Sequence, residues 1–156
     1  MRFPLIRGLA LLLTLVPAGR AVAQSAPADT SGRGKVVTGY CAAWNESDAT
    51  RREALLRDVW DTEGEYSDPT PVTLKGRAAL SLHIAGFLKQ FAGGSIRCSA
   101  PQVHYQSGRF TWQIFAANGS PVAGGMDYAE FAPDGRLRRI VGFFGALPVV
   151  DTTGRR

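Results

Sequence analysis

The stretch from Pro121 to Gly145 constrains this chain most. It reads Pro-Val-Ala-Gly-Gly-Met-Asp-Tyr-Ala-Glu-Phe-Ala-Pro-Asp-Gly-Arg-Leu-Arg-Arg-Ile-Val-Gly-Phe-Phe-Gly, two strand-like runs about Asp134-Gly135. Asp-Gly is strongly favoured in tight hairpin loops, so an antiparallel pair is predicted. Side chains alternate along a strand, which puts Gly125, Asp127, Ala129 and Phe131 on one face. Met126, Tyr128 and Glu130 take the other. Asp127 is then a carboxylate on a face otherwise made of Gly, Ala and Phe. If that face is buried, Asp127 needs a partner or must hold its proton.

The residues before the hairpin supply helices first and strands after. Val36, Val37, Tyr40, Cys41 and Trp44 recur at helical spacing, predicting a helix from about Gly34 to Trp44. Asn45 to Asp48 stops it. Thr50-Arg51-Arg52-Glu53 has the spacing of a capping box, so a second helix is expected there with Leu55, Leu56, Val59 and Trp60 buried. Asp61 to Gly64 reads as a turn and Glu65 to Asp68 as a short strand, with Tyr66 and Asp68 on one face. Pro69 ends that run, and Val72-Thr73-Leu74 is a second short strand. Gly76 opens a third helix that stops at Gly93-Gly94. Its apolar stripe is Leu80, His83, Ile84, Phe87, Leu88 and Phe91, so a histidine sits on the buried side. Beyond Ser95 the pattern is all strand. One strand spans Ile96 to Tyr105 with a bend at Ala100-Pro101. Another spans Arg109 to Ala116 with Phe110, Trp112 and Ile114 on one face, followed by an Asn118-Gly119 turn. Asn45-Glu46-Ser47 and Asn118-Gly119-Ser120 match the glycosylation acceptor pattern, but read as a helix stop and a hairpin turn.

The first 23 residues are expected to be a leader. Arg2 and Arg7 precede a short apolar run, Gly8 to Val16, and Ala21-Val22-Ala23 has the small-x-small cleavage pattern. The run is too short to span a membrane, which predicts a secreted or periplasmic protein. Removing the leader leaves 15 basic against 13 acidic residues, a net charge of +2. A nucleic-acid partner therefore has little support. The domain is expected over residues 35–148, after a linker at 24–34 and before a frayed tail at 149–156. An oxidising compartment allows a disulfide between Cys41 and Cys98; the other reading is two small buried hydrophobes. His83 and His104 have no carboxylate at ligand spacing, so no metal site and no cofactor are expected.

Three helices followed by a strand meander argue an α+β fold, with a curved antiparallel sheet wrapped round the helices as a cone. The chain resembles the SnoaL-like branch of the nuclear-transport-factor-two-like superfamily. The resemblance rests on Tyr40-Cys41-Ala42-Ala43-Trp44-Asn45, Tyr66-Ser67-Asp68-Pro69, Lys75-Gly76-Arg77-Ala78-Ala79-Leu80, Phe131-Ala132-Pro133-Asp134-Gly135-Arg136-Leu137 and Gly142-Phe143-Phe144-Gly145. It covers about Lys35 to Pro148. Superfamily membership implies the fold, while the functions within it are diverse.

The subgroup matched at the chemical positions is the ketosteroid isomerases. There, a helix tyrosine and a protonated strand aspartate form an oxyanion hole, and an aspartate before a proline shuttles the proton. By resemblance those roles fall to Tyr40, Asp127 and Asp68. The pattern departs at the third helix, where His83 and Ile84 stand in place of aromatics; His83 could pair with Asp68 or Asp127. A hollow cone would be lined by Tyr66, Phe87, Trp112, Ile140 and Phe144, and would take a small apolar or carbonyl-bearing ligand. Proton transfer next to a carbonyl, of isomerase or cyclase type, is one expectation. A non-catalytic ligand carrier or dimerising module is the other. In either case a homodimer through the exposed sheet face is expected. The protonation state of Asp127 discriminates: a structural acid would be ionised and bonded to backbone amides or to Arg139.

Overall fold

The structure, a computed structural model, describes residues 32–70 and 73–149. The expected leader, the linker up to residue 31, Val72 and the tail from residue 150 lie outside the described residues. In chain order the elements are α1 (Gly32–Ala43), α2 (Ala49–Val59), β1 (Trp60–Ser67), β2 (Thr73–Lys75), α3 (Arg77–Gln90), β3 (Ser95–Cys98), β4 (Gln102–His104), β5 (Ser107–Phe115), β6 (Pro121–Phe131) and β7 (Leu137–Phe144). The α+β class stands as expected. The strands form one curved sheet in the order β2-β1-β7-β6-β5-β3, with β4 also on β5. The end strands β2 and β3 do not pair with each other, so the sheet stays open.

The sheet is not antiparallel throughout. β1 runs parallel to β7, with Tyr66 opposite Ile140 and Ser67 opposite Val141. Periodicity cannot report strand direction, because a strand alternates in the same way whichever direction its neighbour runs. The hairpin at Asp134-Gly135 forms as expected, and Asp127, Ala129 and Phe131 are the buried residues of its first strand.

Two helix starts differ from expectation. α1 begins at Gly32, two residues before the expected start near Gly34. The α2 cap is Asp48, whose carboxylate accepts the Arg51 N–H at 2.8 Å, and not Thr50. Arg52, in the first turn of α2, points inward. Its buried guanidinium donates to Ser81 Oγ at 3.1 Å and to the Glu46 and Ser47 carbonyls at 2.8 and 3.3 Å. Three acceptors offset the cost of burying that charge and tie α2 to α3. Trp60, expected on the helix, is the first residue of β1 and is fully buried; the expected turn at Asp61 to Gly64 is part of this strand.

The core lies between the helices and the concave sheet face. Val37, Tyr40, Leu56, Leu80 and Ile84 meet Trp60, Phe110, Phe131, Leu137 and Ile140 there. Tyr40 stacks on Trp60 with ring centroids 5.9 Å apart and meets the edge of Phe110 at 6.1 Å. Such aromatic pairs contribute about 0.5–1.5 kcal/mol each beyond the area they bury. They hold the first helix against two distant strands.

Cys41 and Cys98 are joined, with Cα atoms 6.2 Å apart. The bond ties α1 to the edge strand β3. Beside it the Asn45 amide donates to the Ile96 carbonyl and accepts the Ile96 N–H, both at 2.9 Å. One side chain thus occupies edge groups that would otherwise be unpaired. The bridge spans 57 residues, and a loop of that length implies about 4 kcal/mol of stabilisation from restricting the unfolded chain. Urea unfolding with and without reductant should show a loss of that order; equal midpoints would mean that the bond contributes nothing.

Candidate active site

Between α1, α3 and the concave sheet face lies a cavity of about 540 Å³. That is within the range of small-molecule sites. Its walls are aromatic and aliphatic: Trp44, Phe87, Phe91, Phe110, Trp112 and Phe144 are among them. The polar residues Tyr40, Tyr66, Asp68, Thr70, His83, Gln90 and Asp127 share the same lining.

Tyr40 comes from α1, where the spacing Val36-Val37-Tyr40-Trp44 turns one apolar face inward. Among the described residues its hydroxyl is buried without a hydrogen-bond partner, as is the Trp44 indole N–H one helical turn further on. Burial, followed by the negative charge of Asp127, raises the Tyr40 pKa well above the ordinary phenol value. Tyr40 therefore keeps its proton and remains a donor. An unmet buried donor is costly, which makes this hydroxyl a place where a ligand oxygen would be stabilised.

Asp127 sits in the middle of β6 and is 5 % exposed. Its Oδ1 accepts the Trp112 indole N–H at 2.8 Å, its one hydrogen bond among the described residues. Arg139 does not reach it, and lies 3.8 Å from Glu130 instead. Burial pushes the Asp127 pKa from 3.8 up to about 7, with the charge of Asp68 adding to the rise and the Trp112 bond opposing it.

Asp68 follows the end of β1. Tyr66 donates to its Oδ2 at 2.9 Å. The Thr70 N–H donates to Oδ1 at 2.8 Å, and the Thr70 hydroxyl also bonds Oδ1. His83 Nε2 lies 3.9 Å from Oδ2. Asp68 thus caps the Pro69-Thr70 turn and faces the cavity at once. The parallel β1–β7 joint brings the two acids together. Gly142 is opposite Asp127, and a Cβ there would lie 3.3 Å from both Asp127 Oδ1 and Asp68 Cβ. The missing side chain leaves room for two carboxylates in one corner.

Eight of the nine expected site residues line this cavity: Asp68, Asp127, Tyr40, His83, Tyr66, Phe87, Trp112 and Phe144. Ile140 does not. It is fully buried between Tyr66 and Ala129, its neighbours in the sheet, and belongs to the core. Sequence reasoning missed Thr70 and Trp44. Thr70 was readable as the i+2 partner of a turn aspartate, and Trp44 as the residue one turn beyond Tyr40. Trp112 was expected as wall alone; that its N–H reaches Asp127 depends on a cross-strand diagonal that no linear pattern specifies.

No protein-family model and no curated protein matches the chain. Solved structures do. A SnoaL-like protein of Agrobacterium tumefaciens, described as a candidate isomerase, is 30% identical with a TM-score of 0.67, over 72% of this chain and 96% of that one. A protein of unknown function with a cystatin-like fold from Methylobium petroleophilum is 20% identical with a TM-score of 0.61, over 83% and 86%. SalBIII, an epoxide hydrolase/cyclase-like enzyme of pyran ring formation in the polyether salinomycin, is 16% identical with a TM-score of 0.57, over 72% and 90%. The last two are likenesses of fold. The identity and coverage of the first, on the cone fold described above, place the family: the chain belongs to the SnoaL-like family of the nuclear-transport-factor-two-like superfamily.

Proposed function

We propose that the cavity binds a small, largely apolar carbonyl compound and catalyses proton transfer at the carbon next to the carbonyl. The observation that carries this reading is the pairing of two protonated donors at one end of an apolar chamber. Tyr40 has an unmet hydroxyl, and Asp127 holds its proton up to about pH 7. The candidate-isomerase description of the Agrobacterium relative supports the same reading. Tyr40 and Asp127 donate to the carbonyl oxygen, and both bonds strengthen as negative charge grows there. Asp68, held in place by Tyr66 and Thr70, removes the proton and can return it to another carbon. His83 sits beside Asp68 and orients it. The aromatic walls exclude water, which strengthens each of these interactions.

Tyr40→Phe and Asp68→Asn should each lower turnover of a β,γ-unsaturated ketone by at least about a hundredfold, the scale of losing a general acid–base group. The rate should fall as pH rises through about 7, because Asp127 must be protonated to donate. A rate that rises through that pH would instead make Asp127 the base, and a parent protein with no turnover would leave a binding module.

The protonation state of Asp127 has a second readout that needs no substrate. Its pKa is 3.8 before folding and about 7 after, so the folded state binds the proton more tightly. Stability is then fully present below pH 3.8 and is lost as pH rises through 7. Against Asp127→Asn, the parent should lose roughly 2–4 kcal/mol of unfolding free energy between about pH 4 and about pH 8. Parallel stability curves for the two proteins would mean an ordinary, ionised aspartate.

The proposal also carries export and a homodimer. Export is supported by the apolar run Gly8 to Val16 ahead of Ala21-Val22-Ala23, and the dimer by the exposed Val122 and Phe143. The exported protein should begin at Gln24 by mass spectrometry and sediment as two chains; an uncleaved chain or a monomer would remove the corresponding half.

A further inference from the structure

The inner and outer ends of the cavity differ, and one glycine marks the outer end. Tyr40 and Asp127 are almost fully buried, whereas Thr70, Gly86, Gln90, Ala123 and Phe144 on the same lining are exposed. The chamber therefore runs from a polar inner end to a mouth beside α3. On that helix His83, Gly86 and Gln90 fall at positions i, i+3 and i+7, which places them on one face. His83 and Gln90 both line the cavity, and Gly86 lies between them without a side chain.

Gly86 is in the interior of α3, where glycine is less stable than alanine. Neither of the usual structural reasons for a glycine applies. Its backbone is not among those with positive φ, and a Cβ built there meets nothing within 4 Å. Among the described residues nothing occupies the space where its side chain would begin. What glycine provides at this position is an opening in the wall between His83 and Gln90.

We propose that Gly86 is a specificity-determining residue: the ligand is longer than the chamber, and its far end leaves over Gly86. This rests on the proposed binding of a carbonyl compound by Tyr40 and Asp127, and adds the shape of that compound. With the oxygen fixed at the inner end, an extended apolar tail reaches water through this mouth, past the gap that Gly86 leaves in α3. The ligand class is therefore an elongated, tail-bearing carbonyl compound. A compact one that the chamber encloses would gain nothing from the gap.

Two phenols with the same oxygen-bearing head test this, 4-ethylphenol as the short probe and 4-nonylphenol as the long one. Binding is read by quenching of tryptophan fluorescence in the parent, Gly86→Ala and Gly86→Leu proteins. The parent should bind both, the long probe more tightly. Gly86→Leu should weaken 4-nonylphenol by at least about tenfold and change 4-ethylphenol by less than about twofold, a difference of about 1 kcal/mol or more between probes. Gly86→Ala should raise Tm by roughly 2–4 °C, since only helix propensity changes in the free protein. This shift also reports that the helix tolerates substitution. Equal weakening of both probes by Gly86→Leu, no weakening of either, or a parent that binds neither would overturn the inference. Selective loss of the long probe in a protein without ketone turnover would leave the inference standing and sink the catalytic reading alone.

Discussion

The parallel joint between β1 and β7 is the contact on which the site depends. β6 and β7 form a hairpin of neighbours in sequence, and it carries Asp127. β1 comes from far earlier in the chain and leads into Asp68. Only when Ser67 settles opposite Val141 does Asp68 arrive beside Gly142, across from Asp127. A shift of one residue would turn Tyr66 and Asp68 to the opposite face. The buried aromatic frame prevents such a shift, because Trp60 and Tyr66 on β1 are both locked into the core.

That frame also explains why the polar groups at the inner end keep their unusual states. Tyr40 packs on Trp60 and Phe110, so its hydroxyl cannot swing out to find water. Asp127 is held by one indole N–H, too few donors to favour the ionised form against the loss of hydration. Asp68, set in the turn after β1, receives several donors instead. The two carboxylates have the same chemistry and different surroundings, and this is the physical basis for giving them different roles. The cavity is stabilised from outside by the disulfide and by Asn45, which secure the open edge of the sheet where Ile96 and Cys98 form the wall.

Much of this was readable from side-chain periodicity and turn chemistry. The Asp134-Gly135 loop, the buried face of β6, the inward positions of Tyr40 and His83, and the ends of α3 all follow from local rules. Two of the misreadings share one cause. Trp60 as a helix residue and Ile140 as a cavity residue were each judged from immediate neighbours. Each was decided by partners distant in sequence: the sheet core for Trp60, and the β1 and β6 strands for Ile140. The α2–β1 boundary moved because Trp60 gains more by entering the sheet core than by completing one more helical turn.

The sequence by itself determined the elements, their apolar faces and the awkward position of Asp127, because alternation, helical spacing and turn residues act over a few bonds. Tertiary structure alone decided that β1 runs parallel to β7, that Cys41 meets Cys98, that Trp112 supplies the hydrogen bond to Asp127, and that the cone is hollow. Those outcomes depend on how separate elements meet, and on how much volume their side chains fail to fill. No local pattern encodes an unfilled volume. It appears only when all the walls are in place.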